Sequence, residues 1–173
     1  MNLQNRIEVM VKLGDYIRSK PEEWNHTIKN ASLHNTWFTE EFIHLAAQNI
    51  TDCFLSEDLL LEWCNQYHLD DLIKPVNVGI VMAGNIPLVG FHDMLCVFIS
   101  GHCQTIKLSS KDNILLKHLI EVMNNINPET KGYLTLSEQL KDCDAFITTG
   151  GNQSADQFER YFGKYPNIIR RND

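Results

Sequence analysis

Residues 78–110 read VGIVMAGNIPLVGFHDMLCVFISGHCQTIKLSS, and this stretch decides the fold. An apolar run, Val78 to Met82, meets a small, polar, proline-containing break: Ala83, Gly84, Asn85, Ile86 and Pro87. An apolar segment of helical length follows and stops at Gly101. A second short run, Thr105 to Leu108, ends in Ser109 and Ser110. Strand, turn, helix and strand in about thirty residues form one β-α-β unit. Such a unit brings an Asn side chain and free helix N–H groups to the carboxyl end of a sheet, where open parallel sheets bind ligands.

The same grammar continues downstream. From Pro75 the chain alternates strands and helices. Strands are expected at residues 76–82, 103–108, 145–148 and 167–170. Helices are expected at 86–99, at 114–124 (capped by Ser110 or Asp112), at 136–140 (begun by Thr135 or Ser137) and at 154–162. Asn127-Pro128 breaks the second of these, and residues 149–152 form a turn. Upstream, residues 1–74 read as helical. Ile7, Met10, Val11, Leu13, Tyr16 and Ile17 recur at helical spacing. Pro21 opens a short second helix, and Thr39 and Ser56 precede acidic residues as N-caps. The expected fold is α/β: an open, parallel, Rossmann-like sheet with crossover helices (75–173), preceded by an all-helical segment (1–74) packed on it. Right-handed crossovers place the loops that leave the strands on one edge, so segments 83–87, 107–110 and 149–152 share it.

Composition narrows the function. The chain has 173 residues, 43% hydrophobic and 21% charged, with a formal net charge of −7. That balance disfavours a nucleic-acid binder, which needs a basic surface. No apolar run reaches the ~18 residues of a membrane span, and the first ten residues carry no signal-peptide core, so a cytoplasmic location is expected. The five cysteines (Cys53, Cys64, Cys96, Cys103, Cys143) form no CxxC pair, which disfavours zinc and disulfides. No histidine spacing suggests a metal, and no cysteine has an evident activating neighbour.

Each loop on the shared edge has two readings. Asn85 can cap the following helix, or its amide can face a carbonyl oxygen and stabilise developing negative charge. Gly84 would let a ligand approach the backbone. Lys107 can be a solvated lysine at a strand end, or a cation that, with Ser109 and Ser110, faces a ribose or phosphate. Thr149, Gly150 and Gly151 can be a plain turn, or can expose N–H groups to an anion. His92 and Asp93 are adjacent on a helix and point about 100° apart, so they cannot form one relay.

In this order and spacing the segments resemble the aldehyde dehydrogenase superfamily, and within it the acyl-CoA reductase branch typified by the fatty-acyl reductase of bacterial luminescence. The residues that carry the resemblance are Ala83-Gly84-Asn85-Ile86-Pro87-Leu88, Gly101, Thr105-Ile106-Lys107-Leu108-Ser109-Ser110, Thr148-Thr149-Gly150-Gly151 and the tail FGKYPNIIRRN at 162–172. The resemblance implies NAD or NADP as cofactor. It implies Asn85 as the catalytic oxyanion-facing Asn and Lys107 at the adenosine ribose. Gly84, Ser109, Ser110, Thr149, Gly150 and Gly151 would also bind the cofactor, and Gly90 and Asp93 would stand where the substrate tunnel begins. Ser110 stands where a ribose-binding Glu is common, which leaves room for a 2′-phosphate and points towards NADP. Gly84 departs from the usual Trp, Leu108 from Pro and Gly151 from Ser, and no Gly-rich loop stands in 127–135.

The family's nucleophilic Cys lies in a later domain, and none of the five cysteines matches it. The resemblance therefore implies a fragment, inactive alone, of an enzyme reducing an acyl-CoA or similar thioester to an aldehyde. Its partner would be the missing catalytic domain or a second copy. Alternatives are a semialdehyde or glutamyl-phosphate reductase, or a non-catalytic α/β binding module.

Overall fold

The computed structural model describes residues 1–171, with Asn152 and Gln153 described in backbone only; Asn172 and Asp173, the last residues of the expected 75–173 domain, lie outside the described residues. Four helices come first: α1 (Leu3–Ser19), α2 (Glu22–His34), α3 (Glu40–Phe54) and α4 (Glu57–Gln66). Their starts follow from capping chemistry. Asn2, Thr39 and Ser56 each accept the amide three residues on, at 2.8, 3.2 and 3.4 Å. Pro21 stands just before α2, which runs for 13 residues and so is longer than the short helix expected.

The alternating part follows: β1 (Asn77–Val81), α5 (Phe91–Ile99), β2 (Cys103–Lys107), α6 (Asn113–Ile126), β3 (Leu134–Leu136), β4 (Ala145–Gly150), α7 (Asn152–Phe162) and β5 (Asn167–Arg171). A single 3-10 turn, Pro128–Gly132, links α6 to β3. The five strands form one all-parallel sheet in the order β3-β2-β1-β4-β5. The Rossmann-like α/β fold expected from the sequence is therefore present, with a reversal of strand order between β1 and β4.

Two details differ from the expectation. Residues 136–140 do not form a helix; Leu136 instead closes the three-residue strand β3, which pairs with β2 from Gln104↔Leu134 to Ile106↔Leu136. Helix α5 starts at Phe91, not at residue 86. Leu88 has φ 61°, a left-handed conformation that costs a non-glycine residue about 1–2 kcal/mol, and it breaks the helix before Gly90.

Side-chain parity shows what each face of the sheet covers. Val78, Ile80 and Ile106 point into a core shared with α5, α6 and the N-terminal helices. Leu115, Leu116, Leu119, Ile120 and Met123 supply α6's apolar stripe, and Ile7, Met10, Leu13 and Ile17 that of α1. Burial of each is worth roughly 1.5–3 kcal/mol against exposure. Arg6 crosses from α1 to the end of α5: its Nε donates to the Ile99 carbonyl at 3.1 Å, and its Nη2 lies 3.3 Å from Asp71. The opposite face carries α7, where Phe162 stacks on Phe146 of β4 with ring centroids 4.1 Å apart.

Gly79 in β1 is required by that second face. A Cβ there would lie 2.8 Å from Phe146 Cδ1 and 3.1 Å from Cys143 Sγ. Gly79→Ala is expected to destabilise the chain by about 1–3 kcal/mol through overpacking, measured by urea unfolding; a change below about 0.5 kcal/mol would contradict this packing.

Candidate functional site

The parallel pairing sends the exits of β1, β2 and β4 to one edge. Val81 is in register with Lys107 on one side and with Thr148 on the other, and the Met82 amide donates to the Lys107 carbonyl at 3.1 Å, one step beyond the paired residues. Neighbouring strands are ~4.8 Å apart, so the β2 and β4 exits stand about 10 Å apart across β1. Asn85, Lys107 and the Gly150-Gly151 bend therefore share an edge. Neither of the two clefts at this edge is lined by all three.

Asn85 is exposed and lines a cleft of about 580 Å³ with Gly84, Ser110, Lys111 and residues at the end of α2, among them His34 and Trp37. It does not cap α5, whose N-cap is Gly90. A second cleft, of about 420 Å³, lies between the ends of β2 and β3 and the start of α6; Leu108, Ser110, Lys117, Leu136, Ser137 and Glu138 line it. Ser110 is common to both. Lys107, exposed at the end of β2, lines neither, nor do Gly150 and Gly151.

Packing within the chain already requires Gly84 to be bare. The space a Cβ would fill holds the Ser109 side chain, whose Cβ would be 2.6 Å away. Ser109 Oγ also accepts the Lys111 amide at 3.3 Å. The β1 exit loop is thus pressed against the β2 exit loop. The end of α2 clamps the second loop from outside: the His34 ring meets the Ser110 carbonyl at 3.1 Å and Asn35 Nδ2 donates to the Lys111 carbonyl at 3.2 Å.

Between these loops sits Asp112, 3% exposed. It occupies the N-cap position of α6 but makes no capping bond. Its Oδ2 instead accepts the Leu88 amide at 2.6 Å, while Oδ1 has no hydrogen-bond partner. Burial pushes its carboxyl up to about 7, against a smaller downward pull from the Leu88 bond.

On the β4 side the exit is Thr149, Gly150 and Gly151. Gly151 is the N-cap of α7 in extended geometry, with no side-chain cap, so first-turn N–H groups of α7 are left for another acceptor. Thr149 Oγ1 donates to Asp93 Oδ2 at 3.3 Å. Arg170 of β5 brings Nη1 to 2.6 Å from Asp93 Oδ1, an ion pair whose N–H is not aligned as a hydrogen bond. Asp93 is 2% exposed and faces inward to these partners. Gly90 is buried against Met82.

His92 turns the other way, as adjacency on a helix requires. With Leu95, Phe54, Leu59, Leu60 and Trp63 it lines a mainly apolar cleft of about 260 Å³. It also approaches Cys96 Sγ, at 3.7 Å through Nδ1 and 3.8 Å through Nε2, a contact at helical spacing that the sequence reading overlooked. The pair does not activate the thiol. Burial, then the charge of Asp93, raise Cys96 to about 11, so it stays protonated at neutral pH. Cys64 and Cys143 are raised by burial as well. Among the described residues no three His, Cys, Asp or Glu side chains form a metal site, and no helix is long and apolar enough to cross a membrane.

Solved structures that share this arrangement include aldehyde dehydrogenases. A double mutant of betaine aldehyde dehydrogenase from Staphylococcus aureus, in complex with NAD+, superposes with a TM-score of 0.79 at 15% identity, over 100% of this chain and 38% of that chain. The fold is that of part of an aldehyde dehydrogenase. Aldehyde dehydrogenase 21 from Physcomitrella patens, in complex with the reaction product succinate, matches with a TM-score of 0.74 at 15% identity, over 98% of this chain and 40% of that one. Glyceraldehyde-3-phosphate dehydrogenase GapN from Methanocaldococcus jannaschii, complexed with NADP, matches with 0.70 at 13%, over 99% and 42%. This chain thus spans about two fifths of these aldehyde dehydrogenases. No protein-family model and no curated protein matches its sequence.

The Asp112 environment has a measurable consequence. Its folded pKa, about 7, is raised from an ordinary 3.8, so the folded chain holds a proton that the unfolded chain sheds. The stability this contributes is complete below about pH 4 and is lost as pH rises through 7. Relative to Asp112→Asn, wild type is expected to lose on the order of a few kcal/mol between pH 4 and 8 in urea unfolding. A pH-independent difference between the two would contradict the buried carboxylate.

Proposed function

We propose that this chain is the NAD(P)-binding part of an acyl-CoA reductase, which reduces an acyl thioester to an aldehyde. The observation that carries the reading is the edge where the β1, β2 and β4 exits meet, beside the reversal of strand order, in a fold shared with NAD+- and NADP-complexed aldehyde dehydrogenases. The residues there suit a dinucleotide. Lys107 and Ser110 offer a cation and a hydroxyl at the β2 exit for ribose or a 2′-phosphate. The uncapped start of α7 after Gly150-Gly151 offers N–H groups to phosphate. The cleft lined by Leu108, Leu136 and Ser137 gives an adenine a half-apolar seat.

The nicotinamide, when bound, supplies the hydride. The acyl group is held as a thioester on a cysteine outside this chain, since none of the five cysteines here stands where the family's nucleophile does; Cys64, Cys96 and Cys143, moreover, are kept protonated by burial. The Asn85 amide, exposed at the edge, donates to the thioester oxygen and stabilises the charge that develops on it. The apolar cleft of Phe54, Leu59, Trp63 and Leu95 begins beside His92, one residue from Asp93. Its lining favours a hydrocarbon acyl chain over a polar aldehyde.

Isothermal titration should show NADP+ or NAD+ binding to this chain, with Lys107→Ala weakening it about tenfold, the loss of roughly 1.4 kcal/mol. The chain alone should give no turnover with acyl-CoA. Absent binding of either dinucleotide favours a non-catalytic module. In the longer enzyme Asn85→Ala should lower kcat by about 10²–10³-fold.

A further inference from the structure

The loop that carries Asn85 has little regular structure of its own. Residues 84–90 lie between β1 and α5, and Leu88 holds a left-handed backbone at φ 61°. Within the loop the Val89 amide reaches the Ile86 carbonyl at 3.3 Å and the Phe91 amide the Leu88 carbonyl at 2.9 Å. The shortest bond to the loop comes from outside: Leu88 N–H donates to Asp112 Oδ2 at 2.6 Å, in a buried position 24 residues away. Asp112 in turn is fixed by its own amide, which donates to the Ser109 carbonyl at 3.1 Å. Ser109 fills the space over Gly84. The two exit loops therefore touch at both ends of the Asn85 segment, at Gly84 and at Leu88.

We propose that Asp112 is a positioning residue: its carboxylate fixes the Leu88 amide and so sets the Asn85 loop, and it couples that loop to the Lys107–Ser110 segment two residues upstream of it. The proposal rests on the reading of Asn85 and Lys107 given above for its consequence, though not for the bond itself. A carboxylate placed at an N-cap would ordinarily bond the first turn of its own helix. This one is directed to another loop, at the expense of a buried, unpartnered Oδ1. Such a cost is ordinary where a polar group holds an irregular backbone at a working site. A dinucleotide held by residues 107–110 would then be felt at Leu88 and Asn85 through one short bond.

The test uses the isotope-labelled 173-residue chain. In wild type a through-hydrogen-bond coupling between Leu88 N and Asp112 Cγ is expected, and its absence overturns the proposal whatever the variants do. Asp112→Ala is expected to speed amide exchange at Leu88 by tenfold or more, with Ile80 and Ile106 in the sheet unchanged. Asp112→Asn, which keeps an acceptor oxygen, should stay within about threefold of wild type. On addition of NADP+, the Asn85 and Leu88 signals should move in wild type and in Asp112→Asn, and the movement should be lost in Asp112→Ala. Unchanged Leu88 protection in a folded Asp112→Ala chain, or an unchanged NADP+ response there, sinks the positioning role. If NADP+ binds no variant, the cofactor reading fails on its own, and the coupling and exchange data still decide whether Asp112 holds the loop.

Discussion

The parallel registration of β1 between β2 and β4 is the constraint from which the site follows. Val81 faces Lys107 on one side and Thr148 on the other, and the Met82 amide extends the ladder to the Lys107 carbonyl. A parallel ladder fixes direction as well as register. The loops after β1, β2 and β4 have no choice of side. Asn85, Lys107 and Gly150 come from segments far apart in sequence, and the sheet alone gathers them. Register also dictates composition inside the sheet. Gly79 is bare because its partner strand places Phe146 under it, and Phe146 is held by Phe162 of α7. The edge and the core are therefore specified by the same pairings.

Buried polar side chains here join one element to another or to a neighbouring loop. Gln104 Nε2 donates to the Met94 carbonyl and binds β2 to α5. Arg6 joins α1 to the last turn of α5, where the Ile99 carbonyl lacks a helical partner. Asp93 ties α5 to the exit of β4 and to β5 through Thr149 and Arg170. Asp112 ties the start of α6 to the β1 exit. Three of these four act on α5 and the fourth on the loop that leads into it, so the element carrying Gly90, His92 and Asp93 is anchored from the N-terminal helix, the sheet and β5 together. A buried polar group without a partner is expensive, and each of the four side chains makes at least one specific contact.

The periodic elements were legible in the sequence. The apolar runs of β1 and β2, the stripe of α6 and the caps at Thr39 and Ser56 are local signals, and the structure has them within a residue or two. What failed was non-local. Asn85-Ile86-Pro87 is by itself a good helix entry and points to a start at residue 86; the bond from Leu88 to Asp112 and the left-handed Leu88 override it. Thr135 and Ser137 are good helix starts and point to a helix at 136–140, whereas Leu134–Leu136 beside β2 suffices to form the pairing and makes β3 instead. The site suffered in the same way. Asn85, Ser110 and Lys107 stand at the carboxyl edge of the sheet, where the β-α-β grammar puts them, but His34 and Trp37 reach the Asn85 cleft from a helix end some fifty residues upstream, with no local mark of it. Ser137 and Glu138 were hidden by the mistaken helix. The contact of His92 with Cys96 was available from their i, i+4 spacing and was missed.

The account stands on a dinucleotide lying across the carboxyl edge of this sheet. Amide chemical-shift mapping on the 173-residue chain with NADP+ tests that most directly. The account expects saturable shifts at Lys107, Ser110, Ser137 and Gly150, with the amino end of the strands at Asn77 and Cys103 unmoved. Shifts confined to the amino end, or spread over the exposed helices α3 and α4 with the edge silent, would contradict it.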